Sequence, residues 1–214
     1  MLLLGIDTAT AATTVAVHDG SAVVAEVTTV DARRHAEVLG PAVADVVRRA
    51  GAQMRDLTAI VVGVGPGPYT GLRVGVATAT SLADALAVPA YGVCTHDVLA
   101  HQVGPGGELT VMTDARRREV FWATYTADGV RRSGPSVNRP AEVDVHGRAV
   151  GPGALLYADV FADASGPGEI SAGALCALAV ERLRADQAFE PPRPLYLRRP
   201  DTAAPQPVKA VLQS

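Results

Sequence analysis

The chain has 214 residues, of which 48% are hydrophobic and 19% charged, and its 19 Lys and Arg against 22 Asp and Glu give a formal net charge of −3. This apolar composition excludes intrinsic disorder, and a chain of this length can bury about 70% of its surface in one core or two small lobes. The slightly acidic balance argues against a protein that grips a nucleic-acid backbone unaided, because such binding needs a clustered positive field.

The first three predicted elements are strands joined by tight turns. Short runs of apolar or β-branched residues at 2–6, 13–18 and 22–30 have the composition of strands. Asp19-Gly20, between the second run and the third, is a hairpin signal. The chain is therefore predicted to begin with an antiparallel meander.

After the meander the hydrophobic period changes. Helical spacing predicts a helix at about 33–50, in which Pro41 predicts a kink or a late start. Further helices are predicted at about 71–87 and 96–103, and strands at 59–64 and 89–93. The order β-β-β-α-β-α-β-α is that of a ribonuclease-H-like lobe, which actin-like ATPases and sugar kinases contain twice.

The second half restarts with strands after a Gly- and Pro-rich break at 104–107. Strands at 108–113 and 120–126 flank a charged turn, a Pro- and Gly-rich stretch follows at 134–153, and a helix is predicted at about 171–184. We therefore predict an α/β protein with the actin-like fold of two ribonuclease-H-like lobes, in which helices flank mixed sheets. The predicted division is an N-terminal lobe at 1–103, a smaller lobe at 104–190, and a proline-rich tail at 191–214 that docks through 195–197 and is mobile at its end.

Cysteine use and the N-terminal sequence both favour the cytoplasm. Cys94 and Cys176 form no CxxC pair, which is typical of buried thiols in a reducing compartment. No basic residue precedes the short apolar run that ends at Asp7, so no secretory signal is predicted. No apolar run has the length of a membrane span.

The turn after the first strand, Asp7-Thr8-Ala9-Thr10, allows two interpretations. In actin-like enzymes the equivalent turn offers hydroxyl and backbone N–H groups to nucleotide phosphates, and its Asp helps to organise a metal ion. Alternatively, Asp7, Thr8 and Thr10 hydrogen-bond their own backbone, as short Asp/Thr turns commonly do.

A glycine-rich turn links the strand at 59–64 to the following helix, and it reads Gly65, Pro66, Gly67, Pro68, Tyr69, Thr70 and Gly71. Such a turn at a helix N-terminus can bind an anion, but its two prolines lack N–H groups and Leu72-Arg73 stands where a Walker A loop needs Lys-Ser or Lys-Thr. A rigid turn with Thr70 as the helix N-cap is the favoured interpretation.

Small residues recur every fourth position along the helix at 71–87, at Gly71, Gly75, Ala79 and Ala83. This spacing places them on one face, which another helix can approach closely. That helix belongs either to the same lobe or to a second chain, and the sequence leaves both open.

Several catalytic constellations are incomplete. No HExxH or HxxxH pair and no GxSxG elbow occur, so neither a metal site nor a serine hydrolase is predicted. A two-metal nuclease has Asp7 and Glu37 but a glycine turn where its third carboxylate belongs. A kinase needs a glycine-containing phosphate hairpin in the second lobe, where this chain has Asp114-Ala115-Arg116-Arg117-Arg118-Glu119.

Four blocks resemble one family: IDTAT at 6–10, GPGPYTGLRVG at 65–75, DARRREVFWATY at 114–125 and YLRRP at 196–200. They look like the TsaB (YeaZ) family, the bacterial non-catalytic subunit of the tRNA threonylcarbamoyladenosine (t6A) machinery, and they occur in that family's order. This chain has Pro68 and Tyr69 where Ser and Phe are usual, and Phe121 where Tyr is usual; the aromatic changes keep size and character.

The resemblance implies a subunit without catalytic residues or a metal. It would bind and activate the catalytic paralogue TsaD and, with the ATPase TsaE, support threonylcarbamoyl transfer to N6 of adenosine 37 in ANN-decoding tRNAs. It would need no cofactor in isolation, take a nucleotide only at the interface of the assembled complex, meet tRNA only through the complex, and form a homodimer without its partner. The alternatives are an actin-fold ATPase or small-molecule kinase that uses Asp7 and Thr8, and a peptidase acting on its paralogue, for which no nucleophile–base pair is evident.

The resemblance also assigns residues. The family motif residues are Gly65, Pro66, Gly67, Tyr69, Thr70, Gly71, Asp114, Arg116 and Glu119. Asp7, Thr8 and Thr10 are a vestigial phosphate turn. The first two helices form the partner interface, with His35, Val38, Leu39, Val46, Arg73, Gly75, Ala79 and Ala83.

Overall fold

The computed structural model describes residues 1–198. Its strands are β1 (Leu3–Asp7), β2 (Ala12–His18), β3 (Val23–Val30), β4 (Ala59–Gly63), β5 (Ala90–Val93), β6 (Leu109–Asp114), β7 (Val120–Tyr125), β8 (Arg131–Asn138) and β9 (Arg148–Val150). Its helices are α1 (His35–Arg49), α2 (Tyr69–Leu86), α3 (Thr95–Val103), α4 (Pro152–Leu156) and α5 (Ala172–Arg184), with short 3₁₀ turns at Met54–Asp56 and Pro140–Glu142. Within these residues, no helix has the length and hydropathy needed to cross a membrane.

The first sheet has the strand order β3-β2-β1-β4-β5. β1 pairs antiparallel with β2 and parallel with β4, so the meander feeds directly into a parallel half. β1 and β4 are continuous apolar runs because both of their faces are covered. Leu4 and Ile6 pack with residues of α1 and α2, whereas Leu3 packs with residues of α5 and the second sheet. The predicted element order of the first half is confirmed.

The second sheet repeats the first with one strand fewer, in the order β8-β7-β6-β9. An antiparallel meander again precedes a parallel strand, β9, which pairs with β6. The Pro- and Gly-rich stretch at 134–153 contains β9 and parts of β8 and α4, elements that the sequence did not indicate. β8 (RRSGPSVN) is a polar edge strand with no apolar alternation, and edge strands tolerate such residues.

α5 packs on the first sheet, although the sequence groups it with the second lobe. A Cβ added to Gly5 of β1 would lie 2.6 Å from Cys176 Sγ, and the Ala172 N–H donates to Thr14 Oγ1 at 3.2 Å. One apolar cluster therefore runs from β1 and β4 through α3 and α5 to β6 and β7. The lobe boundary at residue 103 stays a prediction, but the two sheets share this core.

The starts of two helices differ from the sequence prediction. α1 begins at His35 and continues past Pro41, which lies on its exposed side. The N-cap of α2 is Pro68 and not Thr70, since the Leu72 N–H donates to the Pro68 carbonyl at 3.1 Å. Thr70 is therefore an exposed residue of the first helical turn.

Candidate functional site

The four sequence motifs meet in one cleft between the carboxyl ends of β1, β4 and β6. A cavity of about 180 Å³ is lined by residues 67–69, 115–117, 121 and 196–198. A smaller one of about 70 Å³ brings Thr10 and Pro68 next to Asp114 and Arg116. Blocks separated by more than a hundred residues thus form a single site.

Asp7, the last residue of β1, is buried beneath the Asp/Thr turn. Its Oδ1 accepts the Ala9 N–H at 2.7 Å and its Oδ2 accepts the Thr95 hydroxyl at 2.8 Å. Its exposed fraction is 0%, and a Cβ on Gly63 would overlap its carboxylate. Burial raises the pKa of Asp7 from 3.8 to about 6, against the opposing effect of the two hydrogen bonds. Both carboxylate oxygens are occupied by protein donors.

The hydroxyls of the same turn are also engaged. Thr8 Oγ1 is buried and donates to the Gly71 carbonyl at 2.7 Å, and Thr10 Oγ1 accepts the Ala12 N–H at 3.2 Å. A Cβ on Gly67 would overlap the Ala9 carbonyl, so the glycine-rich turn rests directly on the Asp/Thr turn. Of the two interpretations, hydrogen bonding within the protein is confirmed for Asp7, Thr8 and Thr10.

The small-residue stripe of α2 faces the interior of its own lobe. A Cβ on Gly75 would overlap Thr8 Oγ1, and one on Gly71 would lie 2.5 Å from the Thr8 carbonyl oxygen. Ala79 and Ala83 are 0% and 3% exposed. The prediction that Gly75, Ala79 and Ala83 offer a surface to a partner is therefore corrected: these positions are small because β1 and its turn approach α2 closely.

Some of the predicted interface residues of α1 are buried and one reaches the surface. Leu39 and Val46 are buried in the core between α1, α2 and the first sheet, and this part of the prediction is also corrected. His35 is buried, and its Nδ1 lies 2.8 Å from Thr13 Oγ1. Burial lowers the pKa of His35. Val38 is half-buried, so it is the α1 residue of the set that reaches the surface.

The charged turn between β6 and β7 has a backbone conformation that the sequence does not indicate. Arg116, Arg117 and Arg118 all have positive φ, at 60°, 56° and 61°. Each L-residue in this region destabilises the chain by about 1–2 kcal/mol, so neighbouring contacts must hold the turn. Asp114 provides one, because its Oδ1 accepts the Arg116 N–H at 2.7 Å. We call residues 116–118 the arginine turn.

Glu119 closes the arginine turn. The Ala115 N–H donates to the Glu119 carbonyl at 3.0 Å, and the Glu119 N–H donates to the Arg116 carbonyl at 3.0 Å. The Glu119 carboxylate pairs with Arg198 of the tail, whose Nη1 also donates to the Ala115 carbonyl at 3.0 Å. The motif residues Asp114 and Glu119 thus shape the turn from within.

Residues 196–198 of the tail line one side of the cleft; the predicted mobile end of the tail lies outside the described residues. The Leu195 N–H donates to the Val64 carbonyl at 2.8 Å. Tyr196 then stacks on Tyr69 with ring centroids 4.8 Å apart, and the Arg73 guanidinium lies 5.3 Å from the Tyr69 centroid. The motif residue Tyr69 and the predicted interface residue Arg73 therefore share one exposed cluster with the tail.

A third cavity, of about 670 Å³, lies between α3, α5 and the β7–β8 turn. Asp97 at its base accepts the Tyr125 hydroxyl and an Arg182 N–H, both at 2.8 Å. Arg131 lies 3.4 Å from Asp97 and 3.0 Å from Glu190. These groups are far apart in sequence, so no local motif could reveal them.

Three groups beside this cavity lie close enough to share a metal ion: Cys94, Asp97 and Glu190. The two carboxylates are already paired with Arg131 and Arg182. Burial and nearby Asp97 raise the pKa of the Cys94 thiol to about 12, which opposes the thiolate that a metal would need. We assign no metal to this group.

Comparison with known proteins identifies the family. The family model described as TsaD, tRNA N6-adenosine threonylcarbamoyltransferase, matches residues 22–169. An uncharacterised protein of Mycobacterium tuberculosis is 47% identical over 203 residues, which cover 93% of this chain and 92% of that protein. TsaB of Escherichia coli is 36% identical over 131 residues, 60% of this chain and 56% of that protein. TsaB of Bacillus subtilis is 34% identical over 126 residues, 58% of this chain and 55% of that protein. The match thus spans just over half the length of these TsaB proteins.

Solved structures agree with the sequence matches. YeaZ of Pseudomonas aeruginosa superposes with a TM-score of 0.78 at 25% identity, covering 92% of this chain and 100% of that chain. A protein described as similar to peptidase YeaZ, from the same organism, gives a TM-score of 0.76 at 28% identity, covering 92% and 99%. The predicted actin-like α/β fold is confirmed. The chain belongs to the family that the matching model describes and, within it, to the TsaB (YeaZ) group.

Proposed function

We propose that this chain is a non-catalytic subunit of the t6A machinery. It binds and activates a TsaD-type catalytic paralogue for threonylcarbamoyl transfer to N6 of adenosine 37 in ANN-decoding tRNAs. A TsaE-type ATPase completes the assembly, which acts in the cytoplasm. The similarity to two proteins named tRNA threonylcarbamoyladenosine biosynthesis protein TsaB supports the pathway.

The closed phosphate turn is the observation that carries the non-catalytic role. An actin-fold ATPase or kinase must offer the carboxylate and hydroxyl of this turn to a metal and to phosphates. Here Asp7 and Thr8 are buried and bonded to protein partners, and the glycine-rich turn fills the space in front of them. A nucleotide would therefore bind only where a second protein completes the site.

The outer faces of α1 and α2 are the proposed partner surface. Val38 and Arg73 reach this surface, and Ala77 lies one helical turn beyond Arg73 and is exposed. The same faces would join two copies of this chain when the partner is absent. The proposed interface therefore lies on residues adjacent to, and not within, the buried stripe.

Size-exclusion chromatography with light scattering, on the chain alone and mixed with the TsaD-type protein of the same organism, tests the assembly. We expect a heteromeric complex with the partner. Ala77→Arg should abolish co-elution while keeping the wild-type unfolding temperature. Ala185→Arg, the same change at the exposed end of α5, is the control and should co-elute normally. Normal co-elution of the Ala77→Arg protein with the partner would show that the interface does not lie on this face of α2.

A reconstituted modification assay tests the role itself. The TsaD-type protein, the TsaE-type ATPase and an unmodified ANN-decoding tRNA are combined with and without this chain, and t6A is measured. Activity should depend on this chain; full activity in its absence would overturn the proposal. Calorimetry of the isolated chain with Mg-ATP distinguishes the non-catalytic subunit from the ATPase alternative. Tight binding of Mg-ATP that is lost in Asp7→Asn would favour an enzyme.

A further inference from the structure

The open edge of the cleft combines cations with exposed aromatic rings. Tyr69 and Tyr196, stacked on each other, are 39% and 42% exposed. The arginine turn lies across the cavity from them, and the side chain of Arg116 is 53% exposed although it contacts Asp114 at 3.1 Å. Arg118 is exposed as well. Proteins that bind single-stranded nucleic acids combine exposed aromatic rings, on which bases stack, with arginines that bind phosphates.

The conformation of the arginine turn is a second, independent observation. Three successive left-handed residues are strained, and such strain persists where the surrounding structure enforces it, most often at functional sites. Asp114, Glu119 and Arg198 enforce it here. A turn serving only as a connection could use glycine or asparagine without this strain. The turn thus holds three consecutive exposed arginines in a conformation that its neighbours impose.

The charges at this edge do not cancel locally. The carboxylates of Asp114 and Glu119 are paired with Arg116 and Arg198, and the arginine turn contributes two further arginines at this edge. Burial and the nearby Arg117 lower the pKa of Arg198, as expected where guanidinium groups are crowded together. A chain with a net charge of −3 thus gathers positive charge at one edge.

The shape of the site favours an extended ligand over a small one. The cavity of about 180 Å³ is below the roughly 300–1,000 Å³ typical of small-molecule sites. Gly67 and the Asp/Thr turn close its inner end. A ligand must therefore lie across the rim, where a nucleic-acid strand can place successive bases and phosphates.

We propose that this chain contacts tRNA directly, with an unpaired base stacked on the Tyr69–Tyr196 pair and neighbouring phosphates bound by Arg116 and Arg118. The inference rests on the proposed function, because the weak charge of the isolated chain needs a partner to hold the tRNA in place. It adds to that function a tRNA contact made by this subunit itself.

Binding of a fluorescent, unmodified ANN-decoding tRNA transcript to the complex with the TsaD-type partner tests the contact. Arg116→Gln with Arg118→Gln should weaken binding at least tenfold and lower the slope of log K against log salt by about 1–2, because each lost phosphate contact removes close to one released counterion. Tyr196→Ala should weaken binding about fivefold or more and leave the salt slope unchanged, because stacking releases no counterions.

Matched controls remove the same charge from the far ends of the two sheets. Arg55 precedes β4 and Arg148 opens β9, and both are exposed. Arg55→Gln with Arg148→Gln should leave affinity and salt slope within twofold of wild type. Equal losses in both double variants, or equal competition by polyglutamate and single-stranded RNA, would show a general charge effect and overturn the proposal.

Two further measurements separate the failure modes. Co-elution with the partner is recorded for every variant, so a missing complex counts against the proposed function and a complete complex with wild-type tRNA affinity counts against the contact alone. Ultraviolet cross-linking of wild-type complex to 4-thiouridine-containing tRNA needs no variant. It should label the peptides that contain Tyr69 or Tyr196, and label confined to the partner would overturn the contact.

Discussion

The environment of Asp7 bears on whether this chain hydrolyses a nucleotide. It also affects the pH dependence of the free energy of unfolding, which can be measured without any ligand. A carboxylate that organises a metal must be ionised and open, whereas this one is enclosed by Ala9, Thr95 and Gly63. Burial therefore opposes its ionisation, and the folded protein bears that free-energy penalty at neutral pH.

Asp7→Asn should stabilise the protein. The pKa of Asp7 is raised from 3.8 to about 6 on folding, so the folded state holds its proton while the unfolded state loses it, and stability falls as pH rises from about 4 to 6. An isosteric amide keeps the bond to the Ala9 N–H and does not ionise. Urea unfolding should show a gain of about 2–3 kcal/mol at pH 8, and a gain smaller by about 1 kcal/mol at pH 5. Lower stability of Asp7→Asn at pH 8 would contradict the argument.

His96 has the opposite linkage. It is fully buried, its Nε2 lies 3.0 Å from Thr113 Oγ1, and burial lowers its pKa to about 3. Below pH 6.5 the unfolded chain takes up a proton that the folded chain refuses, so stability is lost as pH falls from 6.5 towards 3. His96→Gln should lower stability at pH 7 but lose about 2 kcal/mol less than wild type between pH 7 and 5. Parallel losses in the two proteins would show that other groups cause the acid sensitivity.

At the scale of elements, α2 shows what helical periodicity can and cannot specify. The spacing of its small residues correctly indicates a face that something approaches closely. The approaching group is the turn after β1, through Thr8, and not a helix of another chain. Periodicity identifies a face, whereas the neighbour of that face depends on strands that are distant in sequence.

Two glycine-to-alanine substitutions in neighbouring helices should have opposite effects. Gly75→Ala places a Cβ against Thr8 Oγ1 and should destabilise by about 2 kcal/mol or more, as overpacking of a core does. Gly40→Ala in α1 meets nothing within 4 Å and should stabilise by about 0.5–1 kcal/mol through helix propensity. Thermal unfolding of both variants checks the pair. A Gly75→Ala protein as stable as wild type would contradict the close contact between Gly75 and Thr8, and with it the buried position of the small-residue stripe.

The sequence predicts the fold best where local patterns are strong. The apolar runs of β1 and β4 and the hairpin signal at Asp19-Gly20 suffice for the first lobe. β8 cannot be predicted from the sequence because its residues are polar and show no alternation. The conformation of the arginine turn cannot be predicted because arginine has no preference for positive φ. The sequence identifies the motif residues of the cleft, but their mutual contacts depend on tertiary structure alone.

At the scale of the whole molecule, the two sheets are joined by a buried polar network as well as by the apolar core. Asp97 of α3 accepts hydrogen bonds from Tyr125 of β7 and Arg182 of α5 and faces Arg131 of β8. The side chain of Asp97 is 8% exposed. Because α3 and α5 also pack in the cluster shared by both sheets, we expect the sheets to unfold together.

Asp97→Ala tests this coupling. Removing the carboxylate leaves Arg131 and Arg182 without their shared partner, and breaking a buried ion pair from one side destabilises by about 3–5 kcal/mol. Asp45 in α1 also pairs with two arginines, Arg48 and Arg49, but at the surface, so Asp45→Ala should change stability by less than about 1 kcal/mol.

The way in which Asp97→Ala unfolds is as informative as the loss. Trp122, the single tryptophan of the chain, lies in β7 and reports on the second sheet, whereas far-UV circular dichroism reports on the helices, of which α1, α2 and α5 pack on the first. In wild-type protein both signals should follow one urea transition, since the sheets share a core. In Asp97→Ala both midpoints should fall together if the apolar cluster is sufficient for cooperativity. A fluorescence transition that precedes the circular dichroism transition in wild type would mean that the second sheet unfolds alone, and that the network couples the lobes less than their contacts indicate.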